Sequence, residues 1–230
     1  MRAVLGILVA VGLSGCVDLV LPSQTLTKAP SVSQGNFSVN IDAVVNRVEP
    51  VAERICRQRA PNVDCDFRIV VDTRPGQPPN AFQTLDDQGR PVIGFTASLI
   101  AQAQNNDELA FIMGHEVAHH IRGHLAKTQD SALTGALLGG LLATLAGGSG
   151  ATIDTAQNLG ASVGARSYSK EFELEADRLG TIIAFRAGYD PLLGAAFFTR
   201  IPDPGDRFLG THPPNGARIQ TVQQTMAGLR

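Results

Sequence analysis

The stretch Leu109-Ala-Phe-Ile-Met-Gly-His115-Glu116-Val-Ala-His119-His-Ile-Arg-Gly-His124 holds two histidines four residues apart with a glutamate between them. On a helix such positions project from one face a turn apart, so His115 and His119 can share a metal ion while Glu116 stands beside them, able to take a proton from a metal-bound water. The flanks predict that helix. Asn105, Asn106 and Asp107 are candidate N-caps, Asp107 and Glu108 suit the positive end of the dipole, and Leu109, Ile112, Met113, Val117 and Ile121 recur at helical spacing. With five histidines in the chain, chance supplies His-Glu-x-x-His on the order of 0.003 times. A purely structural helix would have to find buried partners for all three polar groups, which is costly. His120 reads as exposed or structural, and Arg122 and His124 as support for the helix end.

A catalytic zinc keeps three protein ligands and one open position. The third candidate comes from Glu171-Phe-Glu173-Leu-Glu175-Ala-Asp177-Arg-Leu-Gly180, part of a second amphipathic pattern running to Gly188. Glu173 and Asp177 share a face at i and i+4, so the first can bind the metal while the second accepts the free ring N–H of a ligand histidine. Glu171 and Glu175 read as a solvated face or as ion-pair partners of Lys170 or Arg178. Spacing alone does not choose among the three glutamates.

His115-Glu116-x-x-His119 followed by Glu173-x-Glu175-Ala-Asp177-x-x-Gly180 resembles metallopeptidase family forty-eight, the gluzincins that include the HtpX heat-shock, CAAX prenyl and mitochondrial Oma-type proteases. Asn80-Ala81-Phe82 is similar to the segment that precedes the active-site helix there, and Thr211-His212-Pro213 with Ala217-Arg218-Ile219 is similar to the C-terminal His-Pro segment. The likeness covers about residues 36 to 230. It implies an α+β, mainly helical gluzincin fold with a small β-sheet and an active-site helix, and one zinc ion per chain held by His115, His119 and Glu173. It also implies Glu116 as general base, Asp177 as the group that orients His115, and an edge strand at Asn80 and Ala81 that holds an extended peptide by main-chain hydrogen bonds. His212 would stabilise the oxyanion or plug the zinc. Without the resemblance, Asn80 is an ordinary turn residue and His212 a loop-fixing histidine.

Residues 1–15 read as an export signal: Arg2, an apolar run from Ala3 to Leu13 too short for a spanning helix, then Leu13-Ser14-Gly15-Cys16, which resembles a bacterial lipobox. Cleavage before Cys16 would leave a lipidated N-terminus whose acyl chains anchor the protein to a bilayer. Val17, where Asp is absent, favours the outer membrane of a Gram-negative bacterium by the usual sorting pattern. Residues 16–36, rich in Ser, Thr, Gln and Pro, read as a tether, and residues 37–230 as one metallopeptidase domain long enough for a sizeable core. With Cys16 lipidated, Cys56 and Cys65 remain, and across the turn at Pro61-Asn62 in an oxidising periplasm they read as a disulfide.

From Phe37 to about Ala60, Ile41, Val44, Val45, Val48, Val51, Ala52 and Ile55 form a helical stripe with Pro50 as a candidate kink. Phe67–Val71 and Pro91–Phe95 read as strands separated by a Pro/Gly/Gln-rich loop. Residues 131–153 carry no charge and interleave leucines with glycines, so length alone would allow a membrane span. A single crossing would put His115 and His119 on the opposite side from Glu173. The segment therefore reads as a small-residue helical hairpin or a flexible loop over the site, or a surface for membrane or partner, with a re-entrant hairpin as the minor option. Helices are expected at Leu192–Arg200 and after Pro213-Pro214.

A net charge of −2 gives no electrostatic case for nucleic acid, and no repeat period appears. The expected activity is a zinc-dependent endopeptidase that acts on extended or unfolded polypeptide. By resemblance it serves quality control of misfolded cell-envelope proteins, facing the periplasm and bound to the membrane through its lipid. The alternatives are a zinc-binding pseudoprotease that acts as chaperone or scaffold with outer-membrane protein assembly partners, and a structural lipoprotein that holds no zinc.

Overall fold

Helix α1 (Ile41–Arg59) starts where the side chain of Asn40 accepts a hydrogen bond from the Ala43 N–H, and it runs through Pro50 as one element. Its stripe of Val44, Val48, Val51, Ala52 and Ile55 enters the core. The computed structural model describes residues 39–167, 169–205, 210 and 212–229. The signal, the tether, Cys16 and Thr211 lie outside the described residues. A disulfide joins Cys56, near the end of α1, to Cys65, with the two Cα atoms 5.8 Å apart.

The sheet has three strands in the order β1-β3-β2: β1 (Arg68–Asp72) parallel to β3 (Pro91–Thr96), and β2 (Ala81–Leu85) antiparallel to it. Strand β2 corrects the loop expected between the two predicted strands. Its sequence, Ala-Phe-Gln-Thr-Leu, is short, partly polar and only half-buried, so the apolar runs on either side outweigh it as a signal. All six residues of β3 are buried, whereas β2 has β3 on one side and no strand on the other among the described residues. A short helix, α2 (Ala97–Gln102), follows β3 and is capped by the Thr96 hydroxyl.

Helix α3 (Asn106–Ile121) carries the histidine motif and buries Leu109, Phe111, Met113, Val117 and Ile121, with Asn105 as its N-cap. It lies antiparallel to α6 (Ser169–Arg186), and the contact is glycine on glycine. A Cβ added at Gly114 would stand 2.7 Å from the Gly180 carbonyl oxygen, and one added at Gly180 would stand 2.7 Å from the His115 backbone nitrogen. No side chain fits there. Backbone contact at this point brings His115 and His119 on α3 into reach of Asp177 and Glu173 on α6.

Between α3 and α6 the chain forms α4 (His124–Leu145) and α5 (Gly150–Arg166), a helical hairpin packed through small residues. Gly135 faces Gly160, and Gly139 faces Ala156, with backbones touching. Leu137, Leu138, Leu141, Leu142 and Leu145 are exposed. No helix among the described residues is long and apolar enough to cross a membrane. The expected helix over Leu192–Arg200 is split: α7 (Pro191–Ala195), with Pro191 in its first turn, tightens into a 3-10 turn at Ala196–Thr199. Helix α8 (Asn215–Ala227) follows Pro214 and returns to pack on α6.

Overpacking a tight helix contact costs about 1–3 kcal/mol, so Gly180→Val is expected to lower the melting temperature. Gly216, also helical but with open space around it, is the contrast: Gly216→Ala should gain up to about 1 kcal/mol from helix propensity. Thermal unfolding in which both variants shift the same way would contradict the assignment of the α3–α6 contact.

Candidate active site

One turn of α3 separates His115 from His119, and one turn of α6 separates Glu173 from Asp177, so the antiparallel pair presents four side chains to one another in two rungs. The imidazole Nε2 atoms of His115 and His119 lie 3.0 Å apart. The Glu173 carboxylate closes the triangle, with Oε2 at 3.5 Å from His115 and Oε1 at 3.3 Å from His119. Glu171 is exposed and Glu175 faces away towards His124, so helix phase selects the glutamate that spacing left open.

The outer ring nitrogens are also engaged. Asp177, fully buried, stands 2.9 Å from His115 Nδ1, so the tautomer with its hydrogen on Nδ1 donates to Asp177 and turns the Nε2 lone pair inward. The His119 Nδ1 meets His124 Nδ1 at 3.0 Å. Inward lone pairs and a carboxylate so close together repel one another unless a proton or a metal cation sits among them, and two imidazole nitrogens with a carboxylate oxygen are a donor set that zinc accepts. Taking one donor atom from each residue, the three ligating atoms lie within 4.8 Å of one another. Burial and the Arg218 charge oppose protonation of His115, but its hydrogen bonds to Asp177 and Glu173 outweigh them and raise its pKa to about 10. The carboxylates thus favour a positive charge at this point. Burial alone would raise Glu173, yet the three histidines around it hold it well below the usual carboxylate range.

Glu116 lines the cavity beside this cluster and makes no hydrogen bond or ion pair among the described residues. Burial pushes its carboxyl up, against the pull of His115 and His119. It therefore stands unpaired next to the donor triangle. The cavity has a volume of about 970 Å³ and runs from Asn80, Ala81 and Phe82 on β2 to the α3 face, walled by Phe111, Phe172 and Phe198. Asn80 extends the strand pairing, its N–H donating to the Thr96 hydroxyl and its carbonyl accepting the Thr96 N–H, and Asn80, Ala81, Phe82 and Gln83 line the cavity. His212 is half exposed at the rim; its Nδ1 is 3.1 Å from Glu173 Oε2. His120 instead bonds the Asp64 carbonyl at 2.7 Å and takes no part in the cluster.

Arg218 is the residue that sequence reasoning quoted without giving it a role. From α8 its guanidinium grips Asp177 twice, Nε to Oδ2 at 2.8 Å and Nη2 to Oδ1 at 2.6 Å, and Nη2 also stands 3.5 Å from Glu173. Nothing local announces this, since Arg218 is 41 residues from Asp177. A second ion pair, between buried Glu108 and the exposed Arg200 at 2.7 and 2.8 Å, ties the start of α3 to the cavity wall. His124 is nearly enclosed, and burial first of all lowers its pKa to about 4, so its ring is neutral at neutral pH.

Among known protein families, the description "Peptidase family M48" matches residues 42–226. A putative beta-barrel assembly-enhancing protease of Vibrio cholerae is 30% identical over 161 residues, covering 64% of this chain and 33% of the relative. The beta-barrel assembly-enhancing protease of Escherichia coli is 30% identical over 147 residues, 58% of this chain and 30% of the relative. The mitochondrial metalloendopeptidase OMA1 of Saccharomyces cerevisiae is 28% identical over 171 residues, 69% and 46% respectively. The chain spans about a third of the length of the two bacterial relatives.

Removing one partner of a buried ion pair costs about 3–5 kcal/mol. Arg218→Met should lose that much in chemical denaturation because it strands the Asp177 carboxylate. Unchanged stability would show that Asp177 does not depend on Arg218.

Proposed function

The chain belongs to peptidase family M48, and from that premise we propose that it is a zinc-dependent endopeptidase of the cell envelope that cleaves extended segments of misfolded proteins. The observation that carries this reading is Glu116: an unpaired carboxylate, raised by burial, opening on the cavity beside two imidazoles and a second carboxylate, that of Glu173. A scaffold has no use for a free base in that position.

His115, His119 and Glu173 would hold the zinc. When bound, zinc supplies Lewis acidity, lowering the pKa of a coordinated water and polarising the scissile carbonyl. Glu116 takes the attacking water's proton and delivers it to the leaving amine. Asp177, clamped by Arg218, keeps the His115 ring turned so that Nε2 faces inward. The open edge of β2 binds substrate main chain, fixing register with little dependence on sequence. The aromatic walls exclude water and favour apolar side chains. His212, at the rim, would stabilise charge that develops on the carbonyl oxygen or plug the open zinc position until substrate enters.

The envelope setting rests on the bacterial relatives' names and on the expected leader. A lipid on Cys16 would hold the domain at the periplasmic face of the outer membrane, where substrates or partners in outer-membrane protein assembly are found. Disulfide-bonded Cys56 and Cys65 suit that oxidising compartment.

Glu116→Gln should keep its zinc while casein cleavage falls by about 10²–10⁴-fold, the usual contribution of a general base. A chelator should abolish cleavage by the parent and zinc should restore it. Full activity in the glutamine variant, or activity indifferent to the chelator, would overturn the mechanism.

A further inference from the structure

We propose that His124 and Glu175 form a positioning relay that fixes the tautomer of His119, the counterpart for the second imidazole of what Asp177 does for the first. The inference rests on the zinc reading above.

The relay begins with a turn. Gly123 has φ +65, a left-handed conformation that lets the chain leave α3 and start α4 at once. That fold-back sets the His124 ring edge-on against His119, centroids 5.0 Å apart, and flat against Phe172 at 4.4 Å. His124 Nδ1 is 3.0 Å from His119 Nδ1, and its Nε2 is 3.1 Å from Glu175 Oε2. Arg122 Nε stands 3.3 Å from Glu175 Oε1.

Two imidazole nitrogens at that distance must divide the roles, one donating and one accepting. If His119 is to offer the Nε2 lone pair to a cation, its hydrogen belongs on Nδ1, and His124 Nδ1 must accept it. The His124 hydrogen is then on Nε2, where the Glu175 carboxylate accepts it. Each atom has one consistent role from Glu175 to the metal position. The reverse assignment would put a hydrogen on His119 Nε2, aimed at His115 Nε2 only 3.0 Å away. It would fill the place of the metal. Glu175 thus belongs to the site through His124 and not as a ligand, and the interposed ring keeps this extra carboxylate out of the donor triangle.

The test measures zinc dissociation constants by chelator competition, and the visible spectrum of the cobalt-substituted protein, for the parent and for His124→Leu, His124→Asn and Glu175→Met. Loss of a group that orients a metal ligand typically costs 10–100-fold in affinity, and that loss with shifted cobalt bands is expected for His124→Leu. His124→Asn keeps an acceptor near Nδ1 and should restore affinity to within a few-fold of the parent. Should the leucine variant not fold, Glu175→Met, on a partly exposed side chain, carries the test with an expected loss of roughly threefold or more. A zinc-binding parent whose folded His124→Leu or Glu175→Met variants match it in affinity and in cobalt spectrum overturns the relay. A parent that binds no zinc overturns the proposed function instead.

Discussion

Two helices far apart in the chain can supply halves of one metal site only if their axes come close, and here the approach is set by glycine meeting glycine at positions 114 and 180. Everything chemical about the site is measured from that contact. Because α3 and α6 run antiparallel, the residue after Gly114 meets the one a turn before Gly180, and the next turn of each supplies the second rung. The hairpin between the helices is a long excursion, but its ends are fixed by the turn at Gly123 and by the start of α6, so its length does not loosen the site.

Around that contact the charges are arranged in layers. The innermost layer is two imidazoles and one carboxylate; the next is Asp177 behind one histidine and His124 behind the other; the outermost is Arg218 against Asp177 and Arg122 against Glu175. Buried carboxylates are tolerated only when paired, and Asp177 is paired on both sides. Glu116 breaks the pattern: it is left without a partner, with its carboxyl raised by burial, and a buried, unpaired carboxyl in a cavity is what the proposed general base requires.

What could be read in advance depended on how local the signal was. The active-site helix was legible because capping residues, apolar period and the histidine motif all coincide between Asn105 and Ile121. The hairpin was legible as one of several options because glycine spacing permits two helices to touch without saying that they do. Strand β2 was missed because Gln83 and Thr84 interrupt its apolar character, although the resemblance had already placed an edge at Asn80 and Ala81. Among the three glutamates, spacing was silent; helix phase against Gly180 decides for Glu173. Arg218 and the Glu108–Arg200 pair are contacts across 41 and 92 residues, set by tertiary packing that no local pattern encodes.

The central claim is that one cation joins the two helices. The most direct measurement is anomalous X-ray diffraction at the zinc absorption edge from crystals of the zinc-loaded protein. A single strong peak bonded by Nε2 of His115, Nε2 of His119 and a carboxylate oxygen of Glu173 is predicted. A peak elsewhere, or one that reaches the two histidines but leaves Glu173 unbound, would contradict the account.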